Sequence, residues 1–392
     1  MAAARPIAVI HNRYLESGGE DAAVAAHLSL LEANGRTVAR FESSNLDLVR
    51  MDPVSRAAAT VWNRRAYRDL RAFLAREKPC AAHFHNTFPL LSPAVYAAAR
   101  RERVPIIQSL HNYRLLCPNA LLFRSGRPCE DCLHKSLKWP SVVHACYRSS
   151  RPATAVTAGM LAVHDINGTW AQSVDVYIAL TEFARGKFIE GGLPADRIVV
   201  NPNFLAVDPG RGDHAGGFAL FVGRLSPEKG IGTLLDAWRL AGGAGRTLKI
   251  AGTGPLDVTL DRSMPGVEWL GQLSRDHVLA LMRDAAFLVF PSECYEGFPV
   301  TLAEAFATGL PVVASNHGAM AEIVESGKTG RLFAPRDARD LADALDWAFV
   351  HPRELEDLGA AARAEYESKY TAARSYERLS SIYMKVEQTA AS

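Results

Sequence analysis

Short apolar segments alternate with amphipathic helical segments along most of this chain, and this alternation restricts the fold more than any other feature. In the first half, strands are predicted at residues 6–10, 81–84, 105–110 and 176–180. Short strands separated by helices pair in parallel, because each helix returns the chain to the same edge of the sheet. The sequence therefore predicts an α/β fold of the doubly wound type.

A second series of the same kind occupies the C-terminal half. Its strands are predicted at residues 218–222, 248–251, 267–270, 287–290 and 311–314. The stretch 201–217 between the two series is rich in Pro and Gly and lacks apolar periodicity, which is typical of a linker. We expect two Rossmann-like domains that face each other across a central cleft. The first comprises residues 1–205 and is completed by a helix at 371–388, and the second comprises residues 206–370.

The composition is that of an ordinary globular protein, with 48% hydrophobic and 22% charged residues and a net charge of +2. These values exclude an intrinsically disordered chain. No apolar run reaches the roughly 20 residues that a membrane-spanning helix needs. The N-terminal segment lacks the apolar core and cleavage site of a signal peptide, so a cytoplasmic location is expected.

Basic residues are concentrated in the first half, especially between residues 50 and 78. Arg64, Arg68 and Arg71 recur there at helical spacing, close to Trp62. One interpretation is a solvated helix face. The other is a surface that contacts anionic lipid or a lipid-linked phosphate, which would place the protein at the inner face of the membrane.

The segment FVGRLSPEKG places Gly223, Arg224 and Lys229 in the turn after a predicted strand. Cations at the carboxyl end of a parallel strand, beside a helix N-terminus, can bind a phosphate. An ordinary surface turn could have the same composition. The later turn AGTGP resembles half of a dinucleotide-binding fingerprint and could equally be a plain strand-to-helix turn.

The segment PSECYEGFPVTLAEAF contains Glu296 and Glu304, one before and one inside a predicted helix. Carboxylates accept hydrogen bonds from pairs of hydroxyls, so this arrangement suits the ribose and sugar of a nucleoside diphosphate sugar. The alternative is an amphipathic helix with solvent-exposed acidic residues.

The segments GRLSPEKG, AGTGP, GQLSRDHVLALMRDAAFLVFPS, EGFPVTLAEAFATGLPVVAS and GKTGRLF occur in this order over residues 218–349. Together they resemble the donor domain of glycosyltransferase family 4. The resemblance implies the GT-B fold, with a final helix that crosses back to the N-terminal domain. It also implies transfer of a glycosyl group from a UDP-, GDP- or ADP-sugar to a hydroxyl, with retention of anomeric configuration and no catalytic divalent metal.

The resemblance also implies roles for individual residues of the C-terminal half. Arg224 and Lys229 would hold the diphosphate, Glu304 the ribose hydroxyls and Glu296 the transferred sugar. The remaining expected donor contacts are Gly223, Gly271, Gln272, Leu273 and the backbone amides of Gly297 and Phe298. Many relatives have Gly where Pro299 stands, and proline has no amide hydrogen, so a sugar contact through that amide is absent here.

In the N-terminal half, Gly18 and Gly19 follow the first strand, and a loop of this kind lets the backbone approach a phosphate closely. By resemblance this pair would lie beside the donor diphosphate. His111 follows the strand at 105–110 and matches the family histidine that faces the reacting sugar. The expected catalytic residues are therefore His111, Arg224, Lys229 and Glu296. The function of His85 stays open, since a histidine at a strand end can simply be packed and hydrogen-bonded.

Four cysteines, Cys117, Cys129, Cys132 and Cys146, lie in the insert 112–150, which has few core residues. One Cys-x-x-Cys with two flanking cysteines suits a structural tetrahedral zinc. Redox-active or unmodified thiols are the alternative, and disulfides are disfavoured in the cytoplasm.

The function that these observations favour is that of a retaining glycosyltransferase of bacterial surface polysaccharide or glycolipid biosynthesis, with a sugar or lipid-linked acceptor and no nucleic acid partner. A nucleotide-sugar isomerase or epimerase of the same fold and a non-catalytic sugar-nucleotide-binding module are the alternatives. The sequence leaves the donor sugar, its base and the acceptor undetermined.

Overall fold

A computed structural model describes residues 5–15, 18–243 and 245–391 of the chain. The chain divides into two compact units. The first unit comprises Met1–Leu122, Cys129–Ala206 and Ala372–Ser392, and the second comprises Phe123–Pro128 and Val207–Thr371. The segment Phe123–Pro128 therefore belongs to the second unit, although the whole insert 112–150 was expected in the N-terminal domain.

The first unit is built on a six-stranded sheet in which every neighbouring pair of strands is parallel. In the order β2-β1-β3-β4-β7-β8, its strands are Val38–Ser44, Ile7–Arg13, Ala81–Phe84, Ile106–Ser109, Val176–Ala179 and Ile198–Val200. The strands β5 (Phe123–Arg124) and β6 (Arg127–Pro128) form a separate antiparallel hairpin.

Helices connect the strands of the first unit, and several begin at a side chain that caps the N-terminal amides. Asp52 caps α3, Asn63 caps α4 and Thr181 caps α9, each by accepting hydrogen bonds from amides of the first turn. These helices are α1 (Gly19–Ala33), α2 (Leu46–Val49), α3 (Pro53–Val61), α4 (Arg64–Glu77), α5 (Ala94–Arg101), α6 (Trp139–Val143), α7 (Arg151–Ile166), α8 (Thr169–Gln172) and α9 (Glu182–Glu190), with a 3₁₀ turn at Ala195–Arg197.

The second unit also has a six-stranded parallel sheet. In the order β11-β10-β9-β12-β13-β14, its strands are Val267–Gly271, Leu248–Ala251, Ala219–Val222, Phe287–Phe290, Val312–Ser315 and Gly330–Phe333. Its helices are α10 (Ile231–Leu240), α11 (Arg275–Asp284), α12 (Val300–Thr308), α13 (Gly318–Ile323), α14 (Ala338–Val350) and α15 (Pro352–Lys369), with a 3₁₀ turn at Pro227–Lys229. Both halves are therefore Rossmann-like, as predicted.

The last helix, α16 (Ala372–Ala391), packs in the first unit, against α1 and β3. Its apolar stripe of Leu379, Ile382, Tyr383 and Val386 is buried in one core with strand residues such as Ile7. The 3.6-residue period of this stripe explains why the segment forms a helix with one buried face.

Each sheet has one point at which the direction of strand addition reverses, between β1 and β3 in the first unit and between β9 and β12 in the second. In open parallel sheets the loops at the carboxyl ends of two such strands diverge and leave a crevice, which is where ligands bind. These two points therefore locate the candidate sites within each unit.

Candidate active site

In the second unit, the loop after β9 carries the predicted phosphate-binding cations. Arg224 is exposed, and its guanidinium makes no hydrogen bond or ion pair with the described residues. Lys229 ends the 3₁₀ turn, and Gly230 follows in the left-handed region at φ 70°. A Cβ on Gly230 would lie 1.9 Å from the carbonyl oxygen of Pro291, so the close approach of this loop to the loop after β12 requires glycine.

The loop after β12 brings Glu296 to Lys229. The Lys229 Nζ donates to Glu296 Oε1 at 2.6 Å, and the Ser292 hydroxyl donates to the same oxygen at 2.7 Å. Nε2 of His317 lies 2.8 Å from the Ser292 carbonyl oxygen, which helps to fix this loop. Two predicted site residues that are 67 positions apart are thus joined at the strand-order reversal of this sheet.

The two ionised forms of this pair stabilise each other. Burial acts to lower the pKa of Lys229, but the Glu296 carboxylate outweighs it and raises that pKa above its usual value. Burial acts to raise the pKa of Glu296, and the Lys229 ammonium outweighs it and holds that pKa below its usual range. Both groups are therefore charged at neutral pH.

Three strand-end loops of this sheet are joined by hydrogen bonds. The amide of Leu225 donates to the Thr253 carbonyl at 3.0 Å, and the amide of Gly252 donates to the Gly271 carbonyl at 2.8 Å. The Thr253 hydroxyl donates to the Gln272 side chain at 3.0 Å. A Cβ on Gly252 would lie 1.9 Å from the Gly223 carbonyl oxygen, so the AGTGP turn has glycine there for packing. The predicted donor contacts Gly223, Gly271 and Gln272 consequently lie on one connected set of loops, next to Leu273.

Glu304 lies on α12 and is only 9% exposed. Its Oε1 accepts a hydrogen bond from Arg275 Nε at 2.9 Å, and Arg275 begins the neighbouring helix α11. Burial raises the pKa of Glu304, and the Arg275 guanidinium opposes this rise. The predicted ribose carboxylate is thus held in place by a cation that the sequence analysis did not identify.

The segment between Glu296 and α12 contains the other predicted sugar contacts. Gly297 is half-buried, and the buried Phe298 ring packs edge-on against Tyr370 with centroids 5.2 Å apart. Pro299 is the N-cap residue of α12, at φ −71°. The fixed φ of proline suits this entry into a helix.

In the first unit, Gly18 is the N-cap residue of α1 and Gly19 is its first residue. A Cβ on either glycine would meet no described atom within 4 Å. Packing among the described residues therefore does not require glycine here. The predicted close approach of a ligand to the backbone would explain why glycine stands at both positions.

Two acidic residues in the first turn of α1 make specific contacts. Glu20 accepts hydrogen bonds from the Tyr14 hydroxyl at 2.8 Å and from Asn112 Nδ2 at 3.0 Å. Asp21 Oδ1 lies 2.7 Å from His11 Nε2. Burial raises the pKa of Glu20, although Tyr14, His11 and Asn112 all oppose the rise.

His111 lies directly after β4, at the carboxyl edge of the first sheet, and its Nε2 is 2.8 Å from His85 Nδ1. Burial, with a contribution from His11, lowers the pKa of His111 to about 4, so its imidazole is neutral at pH 7. His85 is therefore a direct partner of the predicted catalytic histidine. Its neighbour Asn86 is structural, since it exchanges hydrogen bonds with the backbone of Asn12.

The other three cysteines of the insert lie close enough to Cys132 to affect its pKa. Burial raises the pKa of the Cys132 thiol to about 11, and the nearby thiols of Cys117, Cys146 and Cys129 add to the rise. Cys117 and Cys132 are buried, while Cys129 and Cys146 are half-buried. Zinc binding stays a prediction.

Sequence reasoning missed Ser292, His317 and Arg275, which orient the two predicted carboxylates. Ser292 carried a usable signal, since it lies four residues before Glu296 in the loop that was already singled out. Arg275 and His317 carried none, because Arg275 meets Glu304 through the packing of α11 against α12, and His317 meets Ser292 through the pairing of β13 with β12.

Comparisons with known proteins match both halves. Residues 13–203 match the family model "Glycosyl transferase 4-like domain", and residues 217–349 match "Glycosyl transferases group 1". Among solved structures, a sucrose-phosphate synthase from Thermosynechococcus elongatus is 18% identical, with a TM-score of 0.72 over 99% of this chain and all of that one. Anabaena HepE, crystallised with UDP-glucose, is 18% identical, with a TM-score of 0.65 over 97% of this chain and 99% of that one.

Curated relatives give the same result. The D-rhamnosyltransferase WbpZ of Pseudomonas aeruginosa is 31% identical over 40% of this chain, but the match spans only 42% of that protein's own length. The phosphatidyl-myo-inositol mannosyltransferase of Mycobacterium leprae is 30% identical over 71% of this chain and 74% of its own. With both halves matched in order, the chain belongs to the group 1, family 4-like glycosyltransferases of GT-B fold.

Proposed function

We propose that this protein is a retaining glycosyltransferase that moves a glycosyl group from a nucleoside diphosphate sugar to an acceptor hydroxyl. The observation that carries the proposal is the ion pair of Lys229 and Glu296, beside the exposed Arg224, at the strand-order reversal of the second sheet. This arrangement offers two cations to a diphosphate and one oriented carboxylate to sugar hydroxyls.

In the proposed reaction, the bond between the anomeric carbon and the diphosphate oxygen breaks while the acceptor oxygen bonds to the same face of that carbon. The acceptor proton passes to the leaving phosphate oxygen. Negative charge develops on the diphosphate, and Arg224, Lys229 and nearby helix amides stabilise it. The role of His111 towards the reacting sugar stays a prediction, as do the contacts expected from Gly18 and Gly19.

The donor is tested with a panel of UDP-, GDP- and ADP-sugars. We expect one class to raise the melting temperature, because a ligand that binds only the folded state stabilises it. With acceptor present, proton NMR of the product should show the anomeric configuration of the donor. Inversion would refute retention, and conversion of the donor to an epimer without transfer would identify an isomerase instead.

We also propose that the acceptor is presented at an anionic lipid surface. Helix α7 packs against both α3 and α6, and this group of helices exposes large apolar side chains. The exposed residues are Val54, Leu137, Trp139, Val143, Val163 and Ile166. Trp62, at the end of α3, is 42% exposed and leads into α4, where Arg64, Arg65 and Arg68 are exposed. Apolar and aromatic side chains next to arginines are typical of an interfacial membrane contact.

The structure reduces the number of arginines in the predicted basic surface. Arg71 is held by Glu102, with Nε donating to Oε1 at 2.7 Å, so the basic surface is limited to Arg64, Arg65 and Arg68. Arg65 and Arg68 share one acidic partner, Asp69, at 3.5 and 3.4 Å. The described residues contain no helix long and apolar enough to cross a membrane. Similarity to the phosphatidyl-myo-inositol mannosyltransferase of Mycobacterium leprae supports a lipid-linked acceptor here.

Sedimentation with vesicles tests the surface. We expect the protein to bind phosphatidylglycerol-containing vesicles more strongly than phosphatidylcholine vesicles, and less at high salt. Replacing both Leu137 and Trp139 by Ser should reduce binding. The control Leu240→Ser changes an apolar residue that is 58% exposed on α10 of the second unit, and it should have no effect. Equal sedimentation of all variants would refute the surface.

We propose, finally, that the cysteine insert holds a structural zinc ion through Cys117, Cys129, Cys132 and Cys146. The thiols of Cys117, Cys129 and Cys146 all affect the pKa of Cys132, and the Cys-x-x-Cys spacing with two flanking cysteines supports this donor set. Metal analysis of the purified protein should find about one zinc per chain, which Cys129→Ser and Cys132→Ser should lose. The control Cys80→Ser should keep it. Protein that contains no zinc and shows four titratable thiols would refute the site.

A further inference from the structure

The first unit contains a row of buried, hydrogen-bonded histidines that begins at His111 and continues through residues to which the proposed reaction gives no role. His111 Nε2 lies 2.8 Å from His85 Nδ1, and His85 Nε2 lies 2.8 Å from His27 Nδ1. His27 Nε2 lies 3.0 Å from the hydroxyl of Tyr383. His111 is therefore connected to a residue of the last helix.

The row continues beyond Tyr383. Its hydroxyl lies 2.6 Å from His83 Nδ1, and His83 Nε2 lies 2.8 Å from the Ser109 hydroxyl. Both ring nitrogens of His27, His83 and His85 have a partner in this row. Tyr383 connects the two segments, although it comes 300 residues after His83 in the chain.

All four imidazoles are neutral at pH 7. Burial lowers the pKa of His27 to about 3 and that of His111 to about 4, and it lowers those of His83 and His85 well below their usual value. A neutral imidazole has one N–H donor and one acceptor nitrogen. The direction of each hydrogen bond consequently fixes the direction of the next one.

Two ordered states of the row satisfy this rule when the Tyr383 hydroxyl donates to one of its two imidazole partners and accepts from the other. In one, His111 donates through Nε2 and presents Nδ1 as an acceptor. In the other, all the bonds run the opposite way, and His111 presents Nδ1–H as a donor. The ring nitrogen that carries the proton of His111 is therefore linked to the hydrogen bonds of the whole row.

A metal site is the competing interpretation, because one ligand atom from each of His27, His83 and His85 lies within 4.8 Å of the other two. The rings of His83 and His85, however, are stacked at 4.6 Å with an angle of 11° between their planes. A metal ion lies near the plane of each imidazole that binds it. Two stacked rings therefore cannot both point at one ion without a rearrangement that also breaks the hydrogen bonds.

We propose that Tyr383, together with His27, His83 and His85, sets the tautomer and the orientation of His111. These are positioning residues, since they act through His111. The consequence for catalysis rests on the proposed function, in which His111 acts on the reacting sugar. The predicted effect on the tautomer of His111 does not depend on the proposed function.

The substitution Tyr383→Phe tests this proposal, because it removes the hydroxyl and keeps the ring. Nitrogen-15 NMR of the histidine side chains should show one dominant tautomer of His111 in the wild type and a mixture in the variant. We expect kcat to fall roughly 5- to 10-fold, the effect of losing one buried hydrogen bond, with an unchanged KM for the donor. Tyr376→Phe makes the same chemical change on the same helix and should leave both measurements unchanged.

Ser109→Ala removes the other end of the row and gives a second test if Tyr383→Phe folds poorly. The proposal is overturned if the His111 spectrum of either folded variant equals that of the wild type. It is also overturned if the native protein contains a metal ion that His85→Asn removes. An altered His111 spectrum in a protein without transferase activity would support the positioning role while refuting the proposed function.

Discussion

At the scale of single residues, the Lys229–Glu296 pair makes the sharpest prediction. Glu296→Gln should destabilise the protein by about 1–3 kcal/mol at pH 7, because it leaves a largely buried ammonium without its charged partner. The folded-state pKa of Glu296 is lowered, so its contribution to stability is present above the ordinary glutamate pKa of 4.5 and is lost as the pH falls through the folded-state pKa. Urea unfolding of both proteins at pH 7 and below pH 4.5 measures the difference.

A matched substitution on the surface separates this effect from a general loss of charge. Glu325 pairs with Lys328 in the same unit, and its side chain is 65% exposed. Glu325→Gln should therefore change the stability by less than about 1 kcal/mol. If the difference between wild type and Glu296→Gln were the same at pH 7 and below pH 4.5, the proposed ionic state of the pair would be wrong.

The sequence predicted which residue types belong to the site but not how they are paired. Arg224, Lys229, Glu296 and Glu304 follow from motifs, because their spacing within a strand-turn-helix unit is local. The contact of Glu304 with Arg275 depends instead on how α11 packs on α12, which no local pattern encodes.

At the scale of elements, Gly230 decides whether the loop after β9 can approach the loop after β12. Gly230→Ala should cost more than the roughly 1–3 kcal/mol of a strained left-handed residue, because its Cβ would also lie 1.9 Å from the Pro291 carbonyl oxygen. Gly232→Ala, inside α10 and with no described atom within 4 Å of the new Cβ, should be neutral or stabilise by up to about 1 kcal/mol. Thermal unfolding of the two variants tests this contrast. If the two substitutions changed the stability equally, the loops after β9 and β12 could move apart at no cost, and glycine would not be required at position 230.

The central strands were predicted to within a few residues, because strands covered on both faces are continuous apolar runs. The edge strands β2 and β8 and strand β14 were missed. Strand β2 has several polar residues, and β8 is only three residues long. Such strands form because a neighbour offers unpaired backbone groups, which is a property of the sheet rather than of the segment.

At the scale of the whole molecule, the last helix ties the end of the chain to the core of the first unit. Leu379 is 3% exposed there, and Leu379→Ala should destabilise the protein by about 2–5 kcal/mol. Met384, on the same helix, is 50% exposed, and Met384→Ala should have little effect. Denaturant unfolding measures both. A negligible effect of Leu379→Ala would show that α16 does not complete the core.

The two repeated series of strands were enough to predict two Rossmann-like halves. The family followed from the order of motifs in the second half rather than from any single motif. The buried histidine row was not predicted, because it joins helix α1 and the ends of strands β3 and β4 to a tyrosine near the end of the chain. The identity of the sugar could not be predicted either, since no motif of the chain encodes the individual contacts that distinguish one sugar from another.

The most direct test of the central claim is calorimetric titration of nucleoside diphosphates into the wild type, Arg224→Ala, Lys229→Ala and the control Arg239→Ala. Arg239 pairs with Asp236 on the surface of α10 and has no predicted role in nucleotide binding. We predict that one diphosphate binds the wild type and Arg239→Ala equally, and that each loop variant binds it at least about tenfold more weakly, as expected when a charged hydrogen bond is lost. Undiminished binding by Arg224→Ala and Lys229→Ala would contradict the account.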